Sequence, residues 1–285
     1  MTAESSNPNT YIFDPDSSTE MARLINLDRF MTQSMGGALS GVNDLSSLND
    51  VLDVACGPGG WVLDVAYALP NAQVVGIDIG KPMIDYAYAR LQSQNIKNAS
   101  FGVMDITQPL DFSDATFDLV NARFLFTVLH SEAWPPLLAE YFRLTKPGGI
   151  IRQTELVAVS TTSSALQKQY ALLSRFLHLN GYGFSPDGTT IGVDAVLPHL
   201  LNHAGFEKIR HMVNVQDFSQ GVPAWAEGYR YHEILGLSML PLFVKQELIT
   251  QEEADRLHQQ TLTDMLGDEY GFMAYIHTIL ATKPA

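Results

Sequence analysis

The segment from Val51 to Gly60, VLDVACGPGG, most constrains how this chain folds. An apolar run carries an acid and passes into a loop of small residues, after which a helical pattern begins. Glycines let a backbone approach a ligand closely, and the free N–H groups at the start of a helix face negative charge. This order of strand, glycine loop and helix therefore predicts a site for an anion or a nucleotide.

The same alternation continues after this segment. β-rich runs end at Asp78, Met104 and Asn121, helical stretches lie between them, and Ile150 to Glu155 forms a fifth run. Strands that alternate with helices are typical of a parallel sheet that is covered by helices on both faces. We therefore expect an α/β fold built around such a sheet.

Pattern and composition divide the chain into three parts. They are an N-terminal arm and helix (1–45), a core (46–158) and a C-terminal part (159–285). In the first part, the capping-box spacing of Ser17 and Glu20 predicts a helix that runs to about Met35. In the last part we expect two further core strands, at about 206–215 and 271–282. Two helical cap insertions are expected at about 160–204 and 216–268.

The charge balance argues against nucleic acid and membrane partners. The 285 residues carry 17 basic and 31 acidic side chains, a net charge of −14, without a lysine or arginine cluster. Such a surface repels phosphate backbones and anionic lipid. Cys56 is the single cysteine, no signal-peptide pattern is present, and the apolar run 234–244 is too short to span a bilayer. We expect a soluble cytoplasmic protein.

Three kinds of ligand compete for the glycine loop. A dinucleotide fingerprint needs a third glycine where this chain has Val62, and a phosphate-binding P-loop needs a lysine that does not follow Gly60. The third ligand is S-adenosylmethionine, whose amino group gives Asp53 a partner that a nicotinamide dinucleotide lacks. The position of Asp53 before the loop favours this third interpretation.

Polar residues at the ends of the following strands extend the same site. Asp78 ends the second strand eighteen residues after the loop, close to where a ribose-binding acid belongs. Asp105 follows the third strand, where it can accept from an adenine amino group while Ile106 packs on the ring, and Asn121 closes the fourth. One ligand would then touch the carboxyl ends of four successive strands, as open α/β sheets require.

Together these residues resemble the class I S-adenosylmethionine-dependent methyltransferases. The matching motifs lie between Val51 and Glu155: D-x-A-C-G-x-G-G at 53–60, V-G-I-D at 75–78, the acid at 105, F-D-L-V at 117–120 and L-T-K-P-G-G at 144–149. Ala55 stands where the family often has its first glycine, which is a departure from the pattern.

The resemblance implies a fold and a set of cofactor residues. The fold is a Rossmann-like seven-stranded sheet, mostly parallel with an antiparallel last strand, with a helical N-terminal segment and an inserted cap. The cofactor would be S-adenosylmethionine, with S-adenosylhomocysteine as the product. Besides the strand-end residues, the implied cofactor contacts are Ala55, Gly57, Pro58 and Gly59 at the methionine end, and Ile79 and Met83 at the adenine pocket.

The acceptor is expected to be a small organic metabolite. The fourth strand leads into Asn-Ala-Arg-Phe at 121–124 rather than the D/N/S-P-P-Y/F motif of nucleic-acid amino-methylating enzymes, and no paired-glutamate loop of protein arginine methyltransferases is present. The N-terminal segment resembles small-molecule methyltransferases of bacterial natural-product pathways through Tyr11, Glu20, Arg23, Leu24 and Gly36. This resemblance implies that Tyr11 covers the active site and that Gln33 approaches the methionine end of the cofactor. Alternatively, Tyr11 anchors a docking arm and Gln33 is solvated.

The sequence says little about the residues that bind the acceptor. The sulfonium of S-adenosylmethionine is an excellent leaving group, so the enzyme has mainly to align the acceptor, and this needs few characteristic residues. The candidate catalytic residues are His130, Glu155 and His178, chosen from a set that also includes Tyr182 and His232. The candidate acceptor contacts are Tyr11, Arg123, Phe124 and Tyr182. No metal is expected. Rival functions are a cofactor-binding scaffold or cyclase-like protein and a nicotinamide-dependent oxidoreductase, and a homo-oligomer is compatible with the exposed arm and helical cap.

Overall fold

The computed structural model describes residues 10–285, so residues 1–9 of the predicted arm lie outside the described residues. The described helices are α1 (Ser18–Ser34), α2 (Gly60–Ala68), α3 (Lys81–Ser93), α4 (Trp134–Leu144), α5 (Ser164–Leu179), α6 (Val193–Ala204), α7 (Trp225–Lys245) and α8 (Gln251–Met265). The strands are β1 (Asp50–Val54), β2 (Gln73–Asp78), β3 (Ala99–Val103), β4 (Phe117–Arg123), β5 (Thr145–Thr161), β6 (Glu207–Asp217) and β7 (Phe272–Thr282).

The strands form one seven-stranded sheet in the order β3-β2-β1-β4-β5-β7-β6. The first five run parallel, and β7 is antiparallel to both β5 and β6. The strand order reverses between β1 and β4, and open α/β sheets bind their ligands at such a point. The predicted fold, including the antiparallel last strand, is confirmed.

Strand β5 is longer than the run expected at 150–155. It pairs with β4 up to Thr154 and then continues against β7 as far as Thr161, with a register shift between Leu156 and Ala158. The extension follows from β7, because its eleven residues offer a partner well past the end of β4. The sheet therefore projects beyond the parallel core, towards the cap helices.

The segment expected as the first cap insertion divides between two places. Helix α5 packs against α7 and α8, whereas α6 packs against α4 and strands β5, β6 and β7. The spacing of Val193, Leu197 and Leu201 explains this, because all three are buried on one face of α6. Helix α6 is thus part of the covering of the sheet, and the cap consists of α1, α5, α7 and α8.

Helix α1 joins the cap to the sheet. The Ser17 side chain caps its first turn by accepting from the Glu20 N–H, as the capping-box spacing predicts. Its other end packs through Met31 and Met35 against Ile276 of β7, and the helix also contacts α7 and α2. These contacts place α1 across the edge of the sheet where the parallel strands end.

Candidate cofactor and acceptor site

A large cavity lies at the carboxyl ends of β1 to β4, beneath α1, α5 and α7. It brings together most of the residues that the sequence predicts at the cofactor: Asp53, Ala55, Gly57, Pro58, Asp78, Ile79, Met83, Asp105 and Ile106. Three predicted acceptor contacts line the same cavity: Tyr11, Arg123 and Phe124. The roles of these residues stay predictions, but their convergence on one cavity meets the first requirement for a shared site.

Asp53 is a buried carboxylate with one free oxygen. Its Oδ1 accepts from Asn121 Nδ2 at 2.7 Å, and the Asn121 Oδ1 in turn accepts from Arg152 Nη1 at 2.9 Å. Its Oδ2 is buried without a hydrogen-bond partner. Burial raises the pKa of Asp53 to about 7, although Arg123 and Asn121 oppose the rise. A cationic ligand group would satisfy this oxygen, since a buried polar atom without a partner is costly.

The loop after β1 needs left-handed backbone at three places. Ala55, Gly57 and Gly59 have φ angles of 55°, 53° and 74°. Ala55 therefore has the conformation that favours the glycine expected there by resemblance. Asp78 fixes the loop against the end of β2, because its Oδ2 accepts from Gly57 N and its Oδ1 from Gly80 N, both at 2.8 Å. Burial raises the pKa of Asp78.

We expect Gly57→Ala to weaken cofactor binding, and Gly148→Ala is its matched control. Both glycines have positive φ, and an added Cβ would meet only Leu24 Cδ1, at 3.8 Å from Gly57, and nothing within 4 Å at Gly148. Each substitution should lower the free energy of unfolding by about 1–2 kcal/mol through its backbone conformation. Only Gly57 lines the cavity, so only Gly57→Ala should also lower affinity for S-adenosylmethionine in a calorimetric titration. Equal affinities in the two variants would contradict a close approach of ligand and loop.

The residues after β2 and β3 form the opposite end of the cavity. Asp105 accepts from the backbone N–H and the hydroxyl of Thr107, at 2.9 and 2.7 Å. Met83 and Ile106 are buried, whereas Ile79 is 37% exposed. An acid held in a tight turn beside apolar side chains can accept from a flat heterocycle while those side chains cover its faces.

Helix α1 adds a charged residue that the sequence analysis did not single out. Asp28 Oδ1 pairs with Arg123 Nη2 at 2.5 Å, and the two side chains are 14% and 12% exposed. A Cβ at Gly60 would lie 1.6 Å from Asp28 Oδ2, so α1 approaches the start of α2 as closely as glycine allows. This ion pair closes the cavity on the α1 side.

A second charged pair on α1 is almost fully buried. Arg23 donates to both oxygens of Glu20, at 2.6 and 2.8 Å, and to the Tyr231 hydroxyl at 3.3 Å. The Tyr11 hydroxyl donates to Glu20, and the Arg23 guanidinium lies over the Phe13 ring at 5.0 Å from its centre. Tyr11 thus lines the cavity as part of a charge-compensated cluster.

The cap contributes a histidine–tyrosine pair to the cavity. His232 on α7 is 3% exposed, and its Nε2 lies 3.1 Å from the hydroxyl of Tyr170 on α5. Its Nδ1 lies 2.8 Å from the carbonyl oxygen of Gly228. Burial lowers the pKa of His232 to about 4. The imidazole is therefore neutral near pH 7.

The three residues chosen from sequence as catalytic do not line the cavity, so their catalytic role stays a prediction that the geometry of the cavity does not support. Glu155 is buried in the sheet, where Leu125 N, Phe126 N and Gln153 Nε2 donate to it and burial raises its pKa to about 8. His130 packs edge-on to Tyr182, with ring centres 4.4 Å apart. His178 lies at the end of α5, where the Gly188 turn packs on its side chain.

Four other predicted contacts lie off the cavity lining. Tyr182 donates to the Thr10 carbonyl oxygen and so fastens the N-terminal segment. Gln33 is exposed, because the α1 positions that face the core are those of Arg23, Met31 and Thr32. Asn121 acts through Asp53, and Gly59 is the residue that caps α2. The approach of Gln33 to the cofactor therefore stays a prediction that this position on α1 does not support.

Metal and membrane chemistry find no support in the described part of the chain. Within residues 10–285 no group of three or more histidine, cysteine, aspartate or glutamate side chains is arranged to hold a metal ion. None of the helices in that range is both long and apolar enough to cross a membrane.

Comparisons with known proteins agree with the fold. Residues 51–149 match the family described as a methyltransferase domain. The chain is 31% identical over 109 residues to demethylmenaquinone methyltransferase of Lactococcus lactis, covering 38% of this chain and 42% of that protein. It is 30% identical over 166 residues to phosphoethanolamine N-methyltransferase 3 of Arabidopsis thaliana, covering 58% and 30%. The matches thus span less than half of each of these relatives.

The fold has counterparts among solved structures. The YcgJ protein of Bacillus subtilis superimposes with a TM-score of 0.55 at 15% identity, over 89% of this chain and 99% of that one. Reversed β7, the glycine loop and the strand-end acids define a class of protein, the class I methyltransferase fold. Residues 51–149 match a methyltransferase domain, and the described fold and motifs are those of the class I S-adenosylmethionine-dependent methyltransferases.

Proposed function

We propose that this chain transfers the methyl group of S-adenosylmethionine to a small organic acceptor. The observation that carries the proposal is the buried, unpartnered Oδ2 of Asp53 beside a glycine loop that leaves room for a ligand. A nicotinamide dinucleotide has no ammonium group that could donate to this oxygen, whereas S-adenosylmethionine has one. The residues present therefore fit this cofactor.

Each end of the ligand has a candidate partner. Asp53 would hold the ammonium group, Asp78 the ribose hydroxyls and Asp105 the adenine amino group, with Met83 and Ile106 against the ring. When bound, S-adenosylmethionine supplies a methyl group on a sulfonium that leaves as a neutral thioether. The remaining task of the chain is to align the acceptor and exclude water, and the cap of α1, α5 and α7 suits it.

A small acceptor agrees with the charge of the chain and with its relatives. The net charge of −14 disfavours a phosphate backbone as substrate. The names of the relatives point to demethylmenaquinone in one case and to phosphoethanolamine in another, both of them small molecules. Incubation with methyl-tritiated S-adenosylmethionine and a cell extract should place the label in molecules that pass a dialysis membrane. Label retained in RNA or protein would contradict a small acceptor.

The pH dependence of cofactor binding tests the assignment of Asp53. Because its pKa is about 7 in the ligand-free fold, the carboxylate ionises as pH rises from 5.5 to 7.0. The cofactor ammonium stays charged over that range, since α-amino groups titrate near pH 7.7–8.0. Affinity for S-adenosylmethionine should therefore rise about tenfold between these pH values.

Asp53→Asn is the matched control for this titration. The amide keeps an oxygen that can accept from Asn121 but cannot ionise, so its affinity should be low and nearly independent of pH. In the absence of ligand, the pH dependence of folding stability runs in the opposite direction to that of cofactor affinity. The fold favours protonated Asp53, so its contribution to stability is present at low pH and is lost as pH rises through about 7. An identical rise of affinity in Asp53→Asn would contradict the assignment.

A further inference from the structure

The cap side of the cavity is apolar, which restricts the chemistry of the acceptor. Its lining there includes Phe30, Leu173, Phe218, Leu235 and Phe272. All but Phe30 are less than 10% exposed. A ligand that enters such a surface loses its hydration, and burial of a charge without a partner is strongly unfavourable. The lining therefore favours a neutral acceptor with an apolar body.

The arginines of the lining do not offset this preference. Arg23 is paired with Glu20 at 2.6 Å, and Arg123 is paired with Asp28 at 2.5 Å. The other arginines of the described lining are exposed: Arg29 and Arg230. An acceptor that carries a phosphate would thus meet no unpaired buried cation on the part of the wall that the structure describes.

The histidine–tyrosine pair supplies the polar chemistry of this side. A backbone carbonyl only accepts hydrogen bonds, so His232 Nδ1 carries the proton and donates it to the Gly228 oxygen. The Nε2 atom then has a lone pair, which accepts from the Tyr170 hydroxyl. The Tyr170 oxygen keeps lone pairs of its own that a ligand hydroxyl can donate to. Both residues line the cavity.

Burial, rather than a neighbouring charge, keeps the imidazole neutral. Its ring packs edge-on against Phe272 of β7, with ring centres 4.9 Å apart, and against the neighbouring Tyr231, whose hydroxyl accepts from Arg23. Burial also raises the pKa of Tyr170 well above its usual value, so its hydroxyl stays protonated in the resting state. A neutral base in an apolar wall suits an acceptor atom that must lose a proton in order to react.

We infer that the acceptor is a neutral, largely apolar hydroxyl compound, and that Tyr170 and His232 relay its proton during O-methylation. This inference rests on the proposed methyl transfer. In the step, the acceptor oxygen bonds to the methyl carbon while the carbon–sulfur bond breaks, and S-adenosylhomocysteine leaves as a neutral thioether. The hydroxyl proton moves to the Tyr170 oxygen, and the Tyr170 proton moves to Nε2 of His232. The imidazolium then returns its proton to solvent.

The test uses two probes and three variants. The probes are 1-naphthol, a neutral hydroxyl compound, and phosphoethanolamine, a charged acceptor. Binding of each probe is measured by calorimetry with S-adenosylhomocysteine present, and turnover is measured as methyl-tritium transfer. The variants are His232→Gln and Tyr170→Phe, with His203→Gln on the exposed face of α6 as the matched control.

We expect 1-naphthol to bind and to be methylated, and phosphoethanolamine to do neither. His232→Gln and Tyr170→Phe should bind S-adenosylmethionine like the wild type, and Tyr170→Phe should lose up to about tenfold in affinity for 1-naphthol with the hydrogen bond that its oxygen accepts. Both should lose about a hundredfold in kcat, in the range for loss of a general base. His203→Gln should match the wild type. Tyr170→Phe removes a single oxygen atom, so it tests the relay even if His232→Gln does not fold.

Three results would overturn the inference, each at a different point. Binding of phosphoethanolamine, or failure of 1-naphthol to bind at millimolar concentration while S-adenosylmethionine binds, would refute the acceptor class and leave the proposed function standing. A kcat within threefold of wild type in Tyr170→Phe would refute the relay. Failure of the wild type to bind S-adenosylmethionine would refute the proposed function itself.

Discussion

Replacing Glu20 with alanine is expected to lower the free energy of unfolding by about 3–5 kcal/mol, because the change leaves the Arg23 guanidinium buried without a counter-charge. The two side chains are 2% and 5% exposed, and the carboxylate accepts two hydrogen bonds from the guanidinium. The arginine lies between the rings of Phe13 and Tyr231, where water cannot replace the lost partner. Chemical denaturation followed by circular dichroism measures the change.

An exposed ion pair of the same kind serves as the control. Lys81 and Asp85 pair at 2.6 Å on α3, but their side chains are 73% and 62% exposed. Asp85→Ala should therefore cost less than about 0.5 kcal/mol. If Glu20→Ala cost no more than Asp85→Ala, the buried cluster would not hold α1 on the cap.

Asp78→Ala is expected to weaken S-adenosylmethionine binding by about ten- to a hundredfold, equivalent to about 1.5–3 kcal/mol. The substitution removes the predicted ribose contact. It also removes the hydrogen bonds that the backbone N–H groups of Gly57 and Gly80 donate to Asp78, both at 2.8 Å. The loop then loses its fixed position. Isothermal titration with S-adenosylmethionine and S-adenosylhomocysteine measures the loss.

The comparison for this variant is Asp85→Ala, seven residues further along the chain and exposed. It should leave both affinities unchanged, because Asp85 does not line the cavity. Affinities of Asp78→Ala within twofold of those of Asp85→Ala would mean that the ligand does not reach the end of β2.

The sequence predicts the sheet and the cofactor side of the cavity because both depend on local patterns. Parallel strands bring their carboxyl ends to one edge of the sheet, so the sequence predicts that Asp53, Asp78 and Asp105 converge there. The structure places all three on one cavity. Where a residue acts through another, as Asn121 acts through Asp53, the sequence indicates the strand end but not the contact.

The acceptor side depends on contacts that are remote along the chain. Tyr170 and His232 meet through the packing of α5 on α7, sixty-two residues apart, and no motif marks that meeting. His232 was one histidine among several candidates in the sequence, while the chosen His130 and His178 face other contacts. The three-dimensional packing of α7, which the sequence does not reveal, is what places His232 at the cavity and distinguishes it from histidines that pack elsewhere.

Boundaries differed where one element depends on another. The extent of β5 is set by its partner β7, more than a hundred residues away, and the position of α6 is set by the sheet it covers. The exposed position of Gln33 follows from the helical phase of α1, which is fixed by Met31 and Met35 against β7. Residues near one another in sequence carry little information on such long-range packing.

The most direct test of the central claim is a calorimetric titration of the wild-type chain with S-adenosylmethionine, with NADH as the competing candidate ligand. Binding of one S-adenosylmethionine per chain, absent with NADH, is the predicted result. It would agree with an ammonium at the free oxygen of Asp53 and with a loop shaped for that ligand. Binding of NADH without binding of S-adenosylmethionine would contradict the account and would assign the cavity to a nicotinamide cofactor.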